Sequence, residues 1–199
     1  MKLYFSPGAC SLAPHIVLNE LGLKYEVAKV DLKTKQYAGG NFLSVNPKGA
    51  VPTLQLDNGE ILTEAAVILQ YLSDQKPEKG LIPRKGMEQY RCLEWLNYVA
   101  TEMHKGIGSL FHTTSEEHKA LVKQKLGKQF DYLSNHFAKN EYLMGSTFTA
   151  PDAYLFVTLN WTKHVGIDLT AWPKLMGFIE KVKARESVAK SIQTEKAAP

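Results

Sequence analysis

Apolar and polar positions alternate with two different periods, and the change of period divides the chain. In the first eighty residues short strand-like runs mix with helical ones. "KLYF" (2–5) is an apolar run stopped by Ser6, Pro7 and Gly8, which predicts a strand and a turn. "SLAPHIVLNELGL" has a helical period ending at Gly22, and Pro14 falls near its first turn, where a missing N–H costs little. "YEVAKVDL" alternates as a second strand. "VPTLQLD" and "EILT", joined through Asn58 and Gly59, read as a hairpin, and "TEAAVILQYLSDQ" reads as a helix. The expected order is β-α-β, a loop or short helix, then β-β-α.

Strand signals stop beyond the polar, Pro- and Gly-containing segment "QKPEKGLIPRKG". Apolar residues then recur at three- and four-residue steps through Leu93, Leu96, Ala100, Met103, Ile107 and Leu110, and again through Val122, Leu126, Phe130, Leu133 and Phe137, predicting two long amphipathic helices. "APDAYLFVTLNWTKHVG" is apolar nearly all round, as suits a helix at the centre of a bundle. "WPKLMGFIEKVKARES" supplies an outer helix, and "EKAAP" at the end is expected to fray. Thr149 and Asp152 stand at capping-box spacing before the central helix, with Phe148 placed to staple onto it. The pattern predicts two domains: residues 1–77, a linker over 78–85, and an all-helical domain over 86–199.

Composition narrows the class. The 44% hydrophobic and 22% charged fractions are those of an ordinary globular protein. The net charge of +4 falls outside residues 1–80, which carry eight Lys against eight Asp or Glu. The excess decorates helix faces such as "HKALVKQKLGKQ", and with Arg scarce it argues for a solvated face and no nucleic-acid partner. The start lacks the features of a signal peptide and no apolar run is long enough to span a bilayer, so a soluble cytoplasmic protein without a membrane partner is expected. Cys10 and Cys92, the two cysteines, lie far apart with no metal-ligand spacing, so no metal site is expected and both should be free thiols.

Candidate chemistry gathers around Cys10, in "SPGACSLAPH". At the start of a helix, unpaired N–H groups and the dipole favour a thiolate. Lowering a thiol pKa from about 8.5 to about 6.5 needs roughly 2.7 kcal/mol, while a helix end supplies about 0.3–1 and at best about 2 kcal/mol. Further donors are needed, and Ser11 and His104 are candidates. The alternative is a small apolar residue packed under the turn. Asn97, Thr101 and His104 share one helical face by spacing, a polar stripe that would ordinarily face water. Glu64 is open to reading as a first-turn acid placed for the helix dipole.

"SPGACS" after the first strand, "NPKGAVPTL" before the hairpin, "LTEAAVILQYL" after it, "EWLNYVATEMHKG" and "FTAPDAYLF" occur in an order that closely resembles the glutathione S-transferases, most nearly the bacterial beta class. The resemblance spans the chain. It implies an α/β thioredoxin-like N-terminal domain followed by an all-α bundle. The implied activity is transfer of the glutathione thiolate to an electrophilic, partly apolar small molecule, in a homodimer, with glutathione as co-substrate and no tightly bound cofactor. By resemblance Cys10, His104 and Ser11 act at the sulfur. Glutathione contacts are implied for Cys10, Lys35, Val51, Glu64, Ala65, Asn97, Thr101, Glu102, Met103, His104 and Lys105. A cis bond before Pro52 is implied too, turning the Val51 backbone toward the tripeptide. Ala65 is a departure, since the family usually has Ser or Gly there and Ala offers no hydroxyl. Phe5 is another, standing where the wider superfamily often has a catalytic Tyr, while Tyr4 should face the other way. A thiol beside a bound thiol also implies disulfide exchange through Cys10. A non-catalytic binding protein of the same fold is the alternative.

Overall fold

A computed structural model describes residues 1–198. Contacts divide the chain into two compact units: Met1–Gly80 joined by the C-terminal stretch from Arg185, and Leu81–Ala184.

In the first unit, β1 (Lys2–Phe5) lies between β2 (Glu26–Asp31), which is parallel to it, and β5 (Thr53–Gln55), which is antiparallel. β6 (Ile61–Thr63) closes the predicted hairpin, with Thr53 opposite Thr63. On the other side β2 pairs with β3 (Gln36–Tyr37) and β3 with β4 (Gly40–Asn41), giving the order β4-β3-β2-β1-β5-β6. This two-residue ribbon is the segment the sequence leaves as loop or short helix. A 3-10 turn at Phe42–Ser44 follows it.

Strand alternation sorts the side chains of β1. Tyr4 packs with Val30, Phe42 and Val51 on one face. The Phe5 ring stands 6.2 Å from that of His15, so the expected opposition of Tyr4 and Phe5 holds. Helix α1 (Leu12–Glu20) is buried from Leu12 to Leu18 because it packs against both α2 (Ala65–Gln75) and α8 (Glu186–Ala197).

Helix α8 corrects two expectations. It belongs with the first unit, not with the helical domain, because its buried face (Ser187, Val188, Ser191, Glu195) covers α1. The expected fraying at "EKAAP" also gives way to helix through Ala197, and Glu195 is buried; Pro199 lies outside the described residues. The expected linker is partly structural as well. Leu81 and Ile82 are buried in the second unit, where the Leu81 carbonyl accepts from the Ala150 N–H.

In the second unit, α3 (Gly86–Tyr98) runs into a π-helical segment (Val99–His104) and then α4 (Lys105–Ser109). Helix α5 (Glu116–Phe137) is capped by Ser115, whose hydroxyl accepts from the His118 N–H. Helix α6 (Ala150–Asn160) is buried on every side from Ala150 to Leu159, as its all-round apolar sequence requires, and α7 (Pro173–Lys183) packs on it. Asp152, fully buried, accepts from the Thr149 N–H and hydroxyl and from the Leu143 N–H. The capping box thus also ties the loop before α6 to its first turn. Among the described residues no helix is long and apolar enough to cross a membrane, and no group of His, Cys, Asp and Glu is set to hold a metal.

Candidate active site

The first unit brings several of the expected residues onto one loop system. Cys10 ends the turn after β1 and precedes the α1 cap at Ser11. Its thiol is 9% exposed and donates to the Val51 carbonyl at 3.1 Å. That bond needs the thiol proton, so a thiolate here would exchange a donor contact for a carbonyl oxygen facing it. Ser11 does not supply a side-chain donor to the sulfur. Its buried hydroxyl accepts from the Ser6 N–H at 3.2 Å and donates to the Ser6 carbonyl at 3.3 Å, fastening the turn instead. Tyr4 also takes no part: its hydroxyl donates to Gln55, and burial together with Tyr37 pushes its pKa up to about 12.

The Val51–Pro52 bond is cis. The loop before it is organised by Asn46, whose amide donates to the Ala50 carbonyl and to Thr53 Oγ1, both at 2.9 Å, while its carbonyl oxygen accepts from the Lys48 N–H. Gly49 sits in this loop at φ +60. Lys35, itself at φ 57, donates from Nζ to the Gly49 carbonyl at 2.8 Å, which seats its ammonium against the same loop.

Glu64 precedes α2 with φ 70 and ψ 118, a conformation that non-glycine residues rarely adopt. Its carboxylate takes the Lys48 ammonium at 2.7 Å, and Ala65, the first residue of α2, is buried. Lys48 is a residue that sequence reading passed over, because a lysine in a Pro- and Gly-containing loop is indistinguishable from a solvated one.

The second unit does not keep the expected polar stripe on one face. Asn97 and Thr101 are exposed, and they bond along their own helix, to the carbonyls of Leu93 and Asn97. Thr101 and His104 both lie in the π-helical segment, whose wider turn departs from the 3.6-residue period on which the spacing argument rests. His104 is half-buried. Its Nδ1 lies 2.5 Å from the Tyr154 hydroxyl, and its ring meets Trp161 edge-on at 5.0 Å. Glu102 and Lys105 are exposed, whereas the Met103 side chain is fully buried. Sequence reading did not single out Tyr154 in α6 or Trp161 at its C-cap; a tyrosine and a tryptophan in a largely apolar stretch were the available signal.

Cys92 is a core thiol. It is fully buried, and burial, aided by the Asp152 charge, pushes its pKa up to about 12.

Comparison with known proteins matches this arrangement of units. The glutathione S-transferase N-terminal domain matches residues 8–75 and the glutathione S-transferase C-terminal domain residues 98–186. The chain is 40% identical over 198 residues to glutathione S-transferase GstA of Escherichia coli O157:H7, covering 98% of each. Among solved structures it is similar to a sphingomonad glutathione S-transferase complexed with glutathione (42% identity, TM-score 0.94, 100% of both chains). It is also similar to the beta class enzyme of Sphingomonas chungbukensis (43% identity, TM-score 0.93, 98% of both chains). The chain therefore belongs to the glutathione S-transferase family, is a transferase, and is most like the bacterial beta class.

Proposed function

We propose that the first unit holds glutathione along the loop system described above and that the enzyme transfers the glutathione thiolate to an electrophilic, partly apolar small molecule. In this reading Lys35 takes the glycine carboxylate, the Val51 backbone pairs with the cysteinyl peptide, Glu64 takes the γ-glutamyl ammonium and the Ala65 N–H its carboxylate. His104, with the stretch Asn97 to Lys105, is assigned to the sulfur and the tripeptide by family resemblance alone. So is assembly as a homodimer. Work in a reducing cytoplasm fits two free thiols, one of them too buried to serve as a disulfide partner.

The single observation that carries the reading is the placement of Cys10. It stands before a helix N-terminus and within 3.1 Å of the Val51 carbonyl, so a ligand paired with the Val51 backbone would lie against its sulfur. A second activity follows from the same placement. The Cys10 thiolate attacks one sulfur of oxidised glutathione, the S–S bond breaks, and a glutathione thiolate leaves as the mixed disulfide forms.

Intact-mass spectrometry of wild type and Cys10→Ser after incubation with oxidised glutathione tests it. One adduct in wild type and none in the variant supports the site. No adduct, or one persisting on Cys92, removes it. Thiol-dependent turnover of a model electrophile, measured on both proteins, then separates exchange from transfer.

A further inference from the structure

Lys48, the cationic half of the ion pair at the entrance to α2, has no part in the site as assigned so far. Lys48 Nζ stands 2.7 Å from Glu64 Oε1 and 3.1 Å from Thr63 Oγ1. Both side chains leave anchored backbone. The Lys48 backbone is held by Asn46, which is itself buried, and the Glu64 backbone takes an unusual positive φ at the start of α2. Both charged ends remain more than half exposed, at 57% and 66%, so opening the pair costs little.

An anion and a cation on anchored backbone, at hydrogen-bond separation, match one kind of ligand group in particular. The α-amino acid end of a γ-glutamyl peptide carries an ammonium and a carboxylate on a single carbon, the same two charges at a similar spacing. Docking it exchanges one internal pair in the protein and one in the ligand for two crossed pairs, so no charge loses its partner. If Glu64 takes the ammonium, the carboxylate bonded to the same carbon falls on the Lys48 side. Ala65 adds weight, since its methyl group provides no hydroxyl and a side-chain partner for that carboxylate must come from elsewhere.

We infer that Lys48 is a specificity-determining residue of the glutathione site, reading the α-carboxylate of the γ-glutamyl end while Glu64 reads its ammonium. The inference rests on the placement of glutathione proposed above.

Calorimetric titration of the full-length protein with S-methylglutathione, which has no free thiol, tests it against the analogue that lacks only the α-carboxylate. The wild type should prefer S-methylglutathione. Lys48→Met should weaken that ligand about five- to tenfold and leave the analogue nearly unchanged, removing most of the preference; Lys48→Arg should restore it. Equal loss for both ligands, no loss, or tighter binding of S-methylglutathione to Lys48→Met would each overturn the inference, the last by making Lys48 a competitor for Glu64. Glu64→Gln separates the two levels of argument. If it leaves S-methylglutathione binding intact, the placement of the γ-glutamyl end on Glu64 is itself wrong, and the role of Lys48 falls with it.

Discussion

Nδ1 of His15 lies 3.1 Å from Oε1 of Glu195, with neither side chain more than 3% exposed. The other carboxylate oxygen of Glu195 accepts from the Gly8 N–H at 3.0 Å, and His15 Nε2 meets the Tyr25 hydroxyl at 3.0 Å. A residue near the end of the chain is thereby bonded both to α1 and to the turn that carries Cys10.

Glu195→Ala should cost about 3–5 kcal/mol, because it leaves a buried imidazole and a backbone N–H without their acceptor. Glu195→Gln keeps an acceptor and should cost less. Urea denaturation of the three proteins checks the order. Loosening of the turn should show separately, as a changed rate of Cys10 alkylation in Glu195→Gln under conditions where it remains folded.

Glu20 predicts an acid limb of stability. Burial alone would raise its carboxyl, but hydrogen bonds from Arg185 and Ser187 and the charges of Arg185 and Lys79 outweigh that and hold it below the ordinary 4.5. A carboxylate depressed in the folded state stabilises the fold above its unfolded value, and that stability is lost as pH falls through the folded one. Wild type should therefore lose stability as pH drops from about 4.5 downward more steeply than Glu20→Gln, which should be less stable at neutral pH. Thermal melts across that range measure it.

Cys92 should resist iodoacetamide in the native protein at pH 8 and react only on unfolding, so that native labelling stops at Cys10. Its thiol, neutral in the fold up to about 12 but ionising near 9 when unfolded, stabilises the fold at neutral pH and ceases to do so as pH climbs. Cys92→Ala should flatten that alkaline decline in denaturation series between pH 8 and pH 11, a range set by the same linkage.

Gly49→Ala should act on both stability and ligand. At φ +60 an alanine costs about 1–2 kcal/mol. Its Cβ would also stand 3.0 Å from Leu43 Cδ2 and 3.2 Å from Lys35 Cε. Leu43 is exposed and can yield, but Lys35 would lose its seat on the Gly49 carbonyl. If Lys35 takes the glycine carboxylate as proposed, away from the reacting sulfur, the expected kinetic result is a severalfold rise in KM for glutathione with kcat little changed.

Much of the fold was legible because its periods are long or its punctuation strong. Ser6–Gly8 marks the end of β1, Asn58–Gly59 the hairpin, and Thr149 with Asp152 the start of α6. The ribbon of β3 and β4 was not legible, because two residues per strand cannot display a period of two. The π-helical segment was hidden for a related reason: it preserves a helical composition while changing the turn, so a 3.6-residue period drawn through Asn97, Thr101 and His104 does not describe it. Helix α8 was not read apart from α7, because the apolar pattern of "WPKLMGFIEKVKARES" runs on through the break at Ala184 and Arg185. Glu195 fell in the stretch expected to fray, and only its histidine shows why it is held. At the site, Cys10 and Glu64 fall in motifs and Lys35 came from the resemblance alone, whereas Lys48 and Tyr154 needed coordinates, since each takes its meaning from one distant neighbour.

The membership of α8 in the first unit has a bearing on how the protein is made. A ribosome delivers β1, α1 and the hairpin early, yet the helix that covers α1 and supplies Glu195 emerges only after all of Leu81–Ala184. The half that begins first is therefore completed last. During synthesis the apolar flank of α1 awaits a cover that the chain has not yet encoded into space, and this nascent interval is when chaperone protection matters most.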